Sequence, residues 1–130
     1  DSWLIKSDDG GQTWSKRIKV NQDESGKHQF FSWFTIDQSS GYLYFVYYDR
    51  RNYNNIETDV YLSVSRDGGN TFFDKRISKK SFQPDSNLFF GDYINIDAVS
   101  GVIRPIWTRV DEGHISLWIA LIQEENLQNK

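Results

Sequence analysis

The chain has 130 residues, 16% of them aromatic, and a formal net charge of −3. That length suffices for one domain with a real core, and the acidic balance argues against a general nucleic-acid or anionic-membrane surface. The absence of cysteine excludes disulfide staples, thiolate nucleophiles and cysteine-ligated zinc, and no stretch is apolar and long enough to insert in a membrane as a helix. With Asp1 first, no Met and no signal peptide, the expectation is a processed or excised segment.

Nearly every apolar run is short, rich in β-branched or aromatic residues, and bounded by turn residues. Residues 3–7 read as a strand entering the phrase Ser7-Asp8-Asp9-Gly10-Gly11-Gln12-Thr13-Trp14-Ser15, and 13–20 as the strand leaving it. A polar connection, 21–27, leads to a strand at 30–37, after which Gln38-Ser39-Ser40-Gly41 turns the chain. Residues 42–48 are continuously apolar, the mark of a strand buried on both faces. After a polar loop, 49–58, residues 59–65 alternate, with Val60, Leu62 and Val64 to one side and Tyr61, Ser63 and Ser65 to the other.

The opening phrase then returns, 58 positions on, as Ser65-Arg66-Asp67-Gly68-Gly69-Asn70-Thr71-Phe72-Phe73, and a Lys-Arg-Ile follows each copy. A strand near 73–77 and a long loop, 78–90, come next. Residues 93–101 align without gaps on 33–41, at an offset of 60, and share Ile-Asp-x-x-Ser-Gly, a hairpin signal with Gly where a positive φ is expected. Residues 102–108 then match 42–48, 115–122 form the next strand, and 123–130 are a polar tail, either disordered or a single helical turn.

A fixed period of this size indicates a propeller or solenoid. On its two Ser-x-Asp-x-Gly-x-Thr-aromatic phrases, the chain resembles the Asp-box, or bacterial neuraminidase repeat, β-propellers of the sialidase-like family over about residues 1–122. The expected fold is therefore all-β, part of a sialidase-like β-propeller with about two to two and a half four-stranded antiparallel blades. Residues 1–20 would end one blade, 28–77 complete a second and 91–122 begin a third that lacks its own Asp-box. Closed propellers have roughly four to eight blades, so the remaining blades of a larger chain, or a protein partner, are expected to cover the open strand edges.

In each phrase the carboxylate (Asp9, Asp67) can accept backbone N–H groups of a tight turn that Gly11 and Gly69 allow to close. Thr13, Thr71, Ser7 and Ser65 add hydroxyls, and Trp14 and Phe72 are expected to cover the turn. The phrase thus reads as a structural turn. EF-hand spacing is absent, and His28 and His114 stand without ligand spacing, so no metal or cofactor is expected.

The resemblance puts these turns on the outer rim and the ligand face at the other end of the strands. There, Tyr48-Asp49-Arg50-Arg51 emerges from a buried strand, and arginine's planar fork suits bidentate capture of a carboxylate. The family holds the carboxylate of sialic acid with three arginines. The resemblance therefore makes Arg50 or Arg51 one candidate ligand-binding residue and Arg109, which aligns on Asp49, another. The alternative is a salt bridge from Asp49 that ties blades together. The family also uses a tyrosine nucleophile assisted by Glu, and a separate Asp as acid/base. On that basis Tyr93 and Asp92 are the catalytic candidates, with Glu57 a weak partner. Trp33 and Trp107 would stack on a sugar or fill the core.

Two readings follow. One is the C-terminal part of a secreted, bacterial exo-sialidase-like glycoside hydrolase, acting on a sialic-acid-like or other acidic glycan and inactive without its other blades. The other is a non-catalytic propeller of a secreted or cell-surface protein, binding glycan or protein or serving as a scaffold. Arg50, Arg51 and Arg109 converging on one pocket would favour the first. Arginines each consumed by a carboxylate of their own blade would favour the second.

Overall fold

The computed structural model describes residues 1–85, 87–88, 90 and 93–127, and they form an all-β protein of three antiparallel sheets. The first sheet is a two-stranded ribbon of β1 (Trp3–Leu4) and β2 (Ile18–Lys19). The central sheet is a four-stranded meander of β3 (Gln29–Ile36), β4 (Leu43–Asp49), β5 (Asp59–Ser65) and β6 (Phe73–Arg76). In the third sheet β8 (Val102–Asp111) lies between β7 (Asn95–Val99) on one side and β9 (His114–Ile119) with β10 (Ile122–Gln123) on the other.

Alternation on β4 and β5 builds two cores at once. Tyr44, Val46, Tyr48, Val60, Leu62 and Val64 meet Ile94, Ile96, Ala98, Ile103 and Trp107 of the third sheet, with Phe82 closing one end. The opposite side chains, Leu43, Phe45, Tyr47 and Tyr61, pack under Val20, Leu4 and Phe72 from the first ribbon and the second turn. Every residue of β4 and β5 is consequently buried. The Tyr48 hydroxyl adds a polar tie between sheets, donating to the Thr108 carbonyl at 2.8 Å and accepting from its amide at 3.0 Å.

The first ribbon is much shorter than the strands expected at 3–7 and 13–20. Residues 7–13 are bound into the turn, and one further ladder bond, Ser15 N–H to the Lys6 carbonyl at 2.8 Å, precedes the ribbon. The Ser15 hydroxyl competes for the same backbone, accepting from Lys6 N–H and donating to the Lys16 carbonyl.

In the third sheet β9 and β10 keep one register on β8: Ile119 pairs Ile106, and Ile122 pairs Ile103. The interruption falls opposite Pro105, whose carbonyl accepts from Ala120 N–H at 3.2 Å. In an antiparallel pair the reciprocal bond would come from residue 105, and proline has no N–H to give.

Residues 123–127 of the polar tail have a defined structure. Glu124–Asn126 form one 3-10 turn, and the Glu124 carboxylate accepts from the Tyr44 hydroxyl at 2.8 Å and from Arg66 at 2.6 Å. Leu127 is buried in the core between the central and third sheets. Residues 128–130 lie outside the described residues.

Candidate functional site

Antiparallel pairing fixes which loops share an end of the sheet. Gln29 at the start of β3 faces Asp49 at the end of β4, so 29–30 and 49–51 lie together, while Trp33 pairs with Val46 in the middle of the ladder. Tyr93 before β7 and Arg109 late in β8 occupy the corresponding places in the third sheet. The two Ser-x-Asp-Gly-Gly turns lie at the opposite end, after β5 and between β1 and β2.

At the end of β4, Arg51 is enclosed by acids. Its Nε donates to Asp49 at 2.8 Å, one terminal nitrogen lies 2.7 Å from Asp49, and the other lies 2.7 Å from Asp74 of β6. Asp23, from the connection before β3, stands 3.8 Å away, and the guanidinium lies 4.1 Å from the centre of the Tyr61 ring. Asp49 is fully buried. Burial opposes the charge on Arg51, but hydrogen bonding to Asp49 and attraction to Asp49 and Asp74 more than reverse it, so the guanidinium is held above its usual range. Its donors are spent on the protein's own carboxylates. Beside it lies a cleft of about 610 Å³ whose lining includes Arg51, Tyr61, Asp74 and Arg76.

Arg109 is spent in the same way. It forms a two-pronged pair with Asp111 and donates to the carbonyls of Lys80 at 2.6 Å and Ser81 at 3.0 Å. Its plane also stands over the rings of Phe82 and Trp118. Arg50 differs. Its Nε donates to the Thr58 hydroxyl at 3.2 Å, its guanidinium lies 4.9 Å from the Phe30 ring, and it has no carboxylate partner among the described residues. Burial lowers its affinity for its proton.

The aromatic candidates separate by exposure. Trp107 is 3% exposed and fills the core between sheets, so it presents no face to a ligand. Trp33 is 53% exposed and Tyr93 82% exposed. Phe31, beside Trp33, has φ +51° where β3 bulges against β4. Glu57 accepts from the Ser81 hydroxyl at 2.7 Å, a tie between loops. Gly91 and Asp92 lie outside the described residues.

The two turns share one hydrogen-bond pattern. Asp9 accepts from the amides of Gln12 and Thr13 and from the Thr13 hydroxyl, while Ser7 accepts from Gly11 N–H and donates to Asp9. Asp67 repeats this with Asn70, Thr71, Ser65 and Gly69. Both carboxyls are held below the usual carboxylate range, foremost by the threonine hydroxyl. Phe72 packs edge-on against Phe45 of β4, whereas Trp14 is 60% exposed. Gly69 has φ +82°, and a Cβ there would stand 2.5 Å from a Leu4 methyl, so any other residue at this turn would be strained in its backbone and would push the Leu4 side chain aside.

Sequence reasoning missed Asp74, Asp23 and Asp111 as arginine partners. It also missed Asp37, which accepts from Ser39 within its own hairpin and from Gly101 N–H of the third sheet at 2.6 Å. The available signal was the repeated Ile-Asp-x-x-Ser-Gly, here a link between repeats as well as a turn. Among the described residues no group of three or more His, Cys, Asp or Glu is placed to hold a metal ion. No helix among them is long and apolar enough to cross a membrane. Comparison with protein-family models, with curated proteins and with solved structures finds no match.

Proposed function

We propose that this chain belongs to an Asp-box β-propeller of a secreted or cell-surface protein and serves as a non-catalytic module that binds glycan or protein, or as a scaffold. One observation carries the choice against catalysis. Arg51 and Arg109 are each consumed by a carboxylate of their own sheet, which leaves no cluster of uncommitted guanidiniums at these strand ends among the described residues to read an acidic sugar. The propeller reading is supported by the repeated turn, by the meander order of the central sheet, and by the packing of successive units face against face.

The exo-sialidase-like alternative has one observation in its favour. Arg50 lacks a carboxylate partner among the described residues, and exposed Tyr93, before β7, belongs to the same end of the sheets. Titration of free sialic acid against wild type and Arg50→Ala, with a fluorogenic sialoside as turnover probe, separates the two. The non-catalytic reading expects no turnover and no difference between the proteins in sialic acid binding. Millimolar or tighter binding that Arg50→Ala abolishes would return the chain to the hydrolase reading.

A further inference from the structure

The Lys-Arg-Ile after the second turn begins a basic segment, 75–80, whose charges the fold leaves largely unused. Lys75, Lys79 and Lys80 are exposed, and their ammonium groups have no ion pair or hydrogen bond among the described residues. Arg76 is exposed as well, but it lies 2.8 Å from the buried Asp59 carboxylate. With Arg76 balanced by Asp59, the three lysines remain as unbalanced cations on one short segment of a chain whose net charge is −3. They line one wall of a groove between the edges of the central and third sheets, made of two hollows of about 310 Å³ each. In the first, Lys75 lies with Gln123 and Asn126, which are exposed and whose side-chain amides have no partner among the described residues. In the second, Lys79 and Lys80 lie with Trp118 and with Arg109, which Asp111 neutralises. Trp118 is 42% exposed, and its indole N–H is tied to the Ser116 hydroxyl at 2.9 Å, so its ring is what remains to meet a ligand.

We propose that this groove binds a linear sulfated polysaccharide, with Lys75, Lys79 and Lys80 on its sulfates, Gln123 and Asn126 on its hydroxyls, and Trp118 against the apolar face of a sugar ring. The lysines are distributed over both hollows, so a ligand that engages all three must carry several anionic groups along its length. Ammonium is a compact charge that meets a sulfate from any direction, unlike the planar fork of arginine. A side-chain amide both donates and accepts, as a hydroxyl does, and an indole ring covers apolar C–H groups. An acidic peptide would satisfy the lysines but offers little to the two amides and the ring. The inference rests on the glycan-binding reading above and gives it a ligand class and a groove.

The test titrates heparin, and poly-L-glutamate of matched length, into the full 130-residue chain by calorimetry at about 0.15 M salt. Heparin should bind the more tightly, and Lys79→Gln/Lys80→Gln should raise its Kd about tenfold without changing the melting temperature. Trp118→Ala should weaken heparin and leave poly-L-glutamate as it was. Lys16→Gln/Lys27→Gln removes the same charge from elsewhere on the surface and should change neither. No heparin binding, or equal losses in the two double variants, would overturn the proposal, the second by showing that net charge alone draws the polymer. So would poly-L-glutamate binding as tight as heparin, which would assign the groove to an acidic peptide. Heparin binding that Lys79→Gln/Lys80→Gln leaves intact while lowering solubility would likewise overturn it and make these lysines guards of an open strand edge. Turnover of the sialoside would instead overturn the non-catalytic reading without touching heparin binding, so the two failures are told apart.

Discussion

Arg50 and Arg51 leave β4 on successive residues, one against Phe30 and Thr58, the other among Asp49, Asp74 and Asp23. Sequence presents them as equals because Asp49 adjoins both, and the groups that tell them apart, Phe30, Asp74 and Asp23, come from other segments of the chain. Asp37 is a second case, in which one carboxylate serves two repeats. Its carboxyl is held down at about 2 against an ordinary 3.8, by the Gly101 amide first and then by Ser39. A folded-state pKa below the unfolded value means the ionised form stabilises the fold. That contribution is complete above about pH 4 and is lost as pH falls toward 2. Asp9 and Asp67, also depressed, extend the loss to lower pH. Asp37→Ala should therefore cost about 1–3 kcal/mol at neutral pH, through part-buried donors left unpaired. It should also flatten the fall in melting temperature between pH 4 and 2. A variant curve that runs parallel to wild type through that window would refute the assignment.

At the scale of elements, β4 and β5 were legible because both of their faces are buried: 42–48 reads as an unbroken apolar run and 59–65 as a strict alternation. The hairpins at Gly41 and Gly101 were legible from turn chemistry. The shortness of β1 and β2 was not, because side-chain bonds within the turn take up the backbone that a ladder would use. Nor was the break between β9 and β10, which depends on Pro105 lying opposite Ala120 in a register set by the whole sheet. The candidate site divides likewise. Charges emerging at strand ends follow from the sequence, but their partners follow from which loops the meander stacks. Pro105 permits a direct check. In Pro105→Ala the new amide at position 105 faces the Ala120 carbonyl and should exchange slowly with solvent, making β9 and β10 one strand. Fast exchange at that amide would show that the gap has another cause.

For the molecule as a whole, β4 and β5 of the central sheet are enclosed on both faces, while β3 is largely exposed and the outer face of the third sheet is left bare. Charge follows the same plan. Arg51 joins the end of β4 to β6 and to the connection from the first ribbon, and Arg66 joins the second turn to the 3-10 turn near the end of the described chain. On this account these arginines hold neighbouring segments in place and do not read an anion. The measurement that tests this most directly is a double-mutant cycle of Arg51→Met and Asp74→Asn by denaturant unfolding, repeated with saturating sialic acid. Arg51→Met should cost about 3–5 kcal/mol by leaving buried carboxylates unpaired. The double variant should cost less than the sum of the single ones, and sialic acid should change none of the values. An Arg51→Met protein as stable as wild type, with sialic acid stabilising only the wild type, would contradict it and make Arg51 a ligand-reading residue.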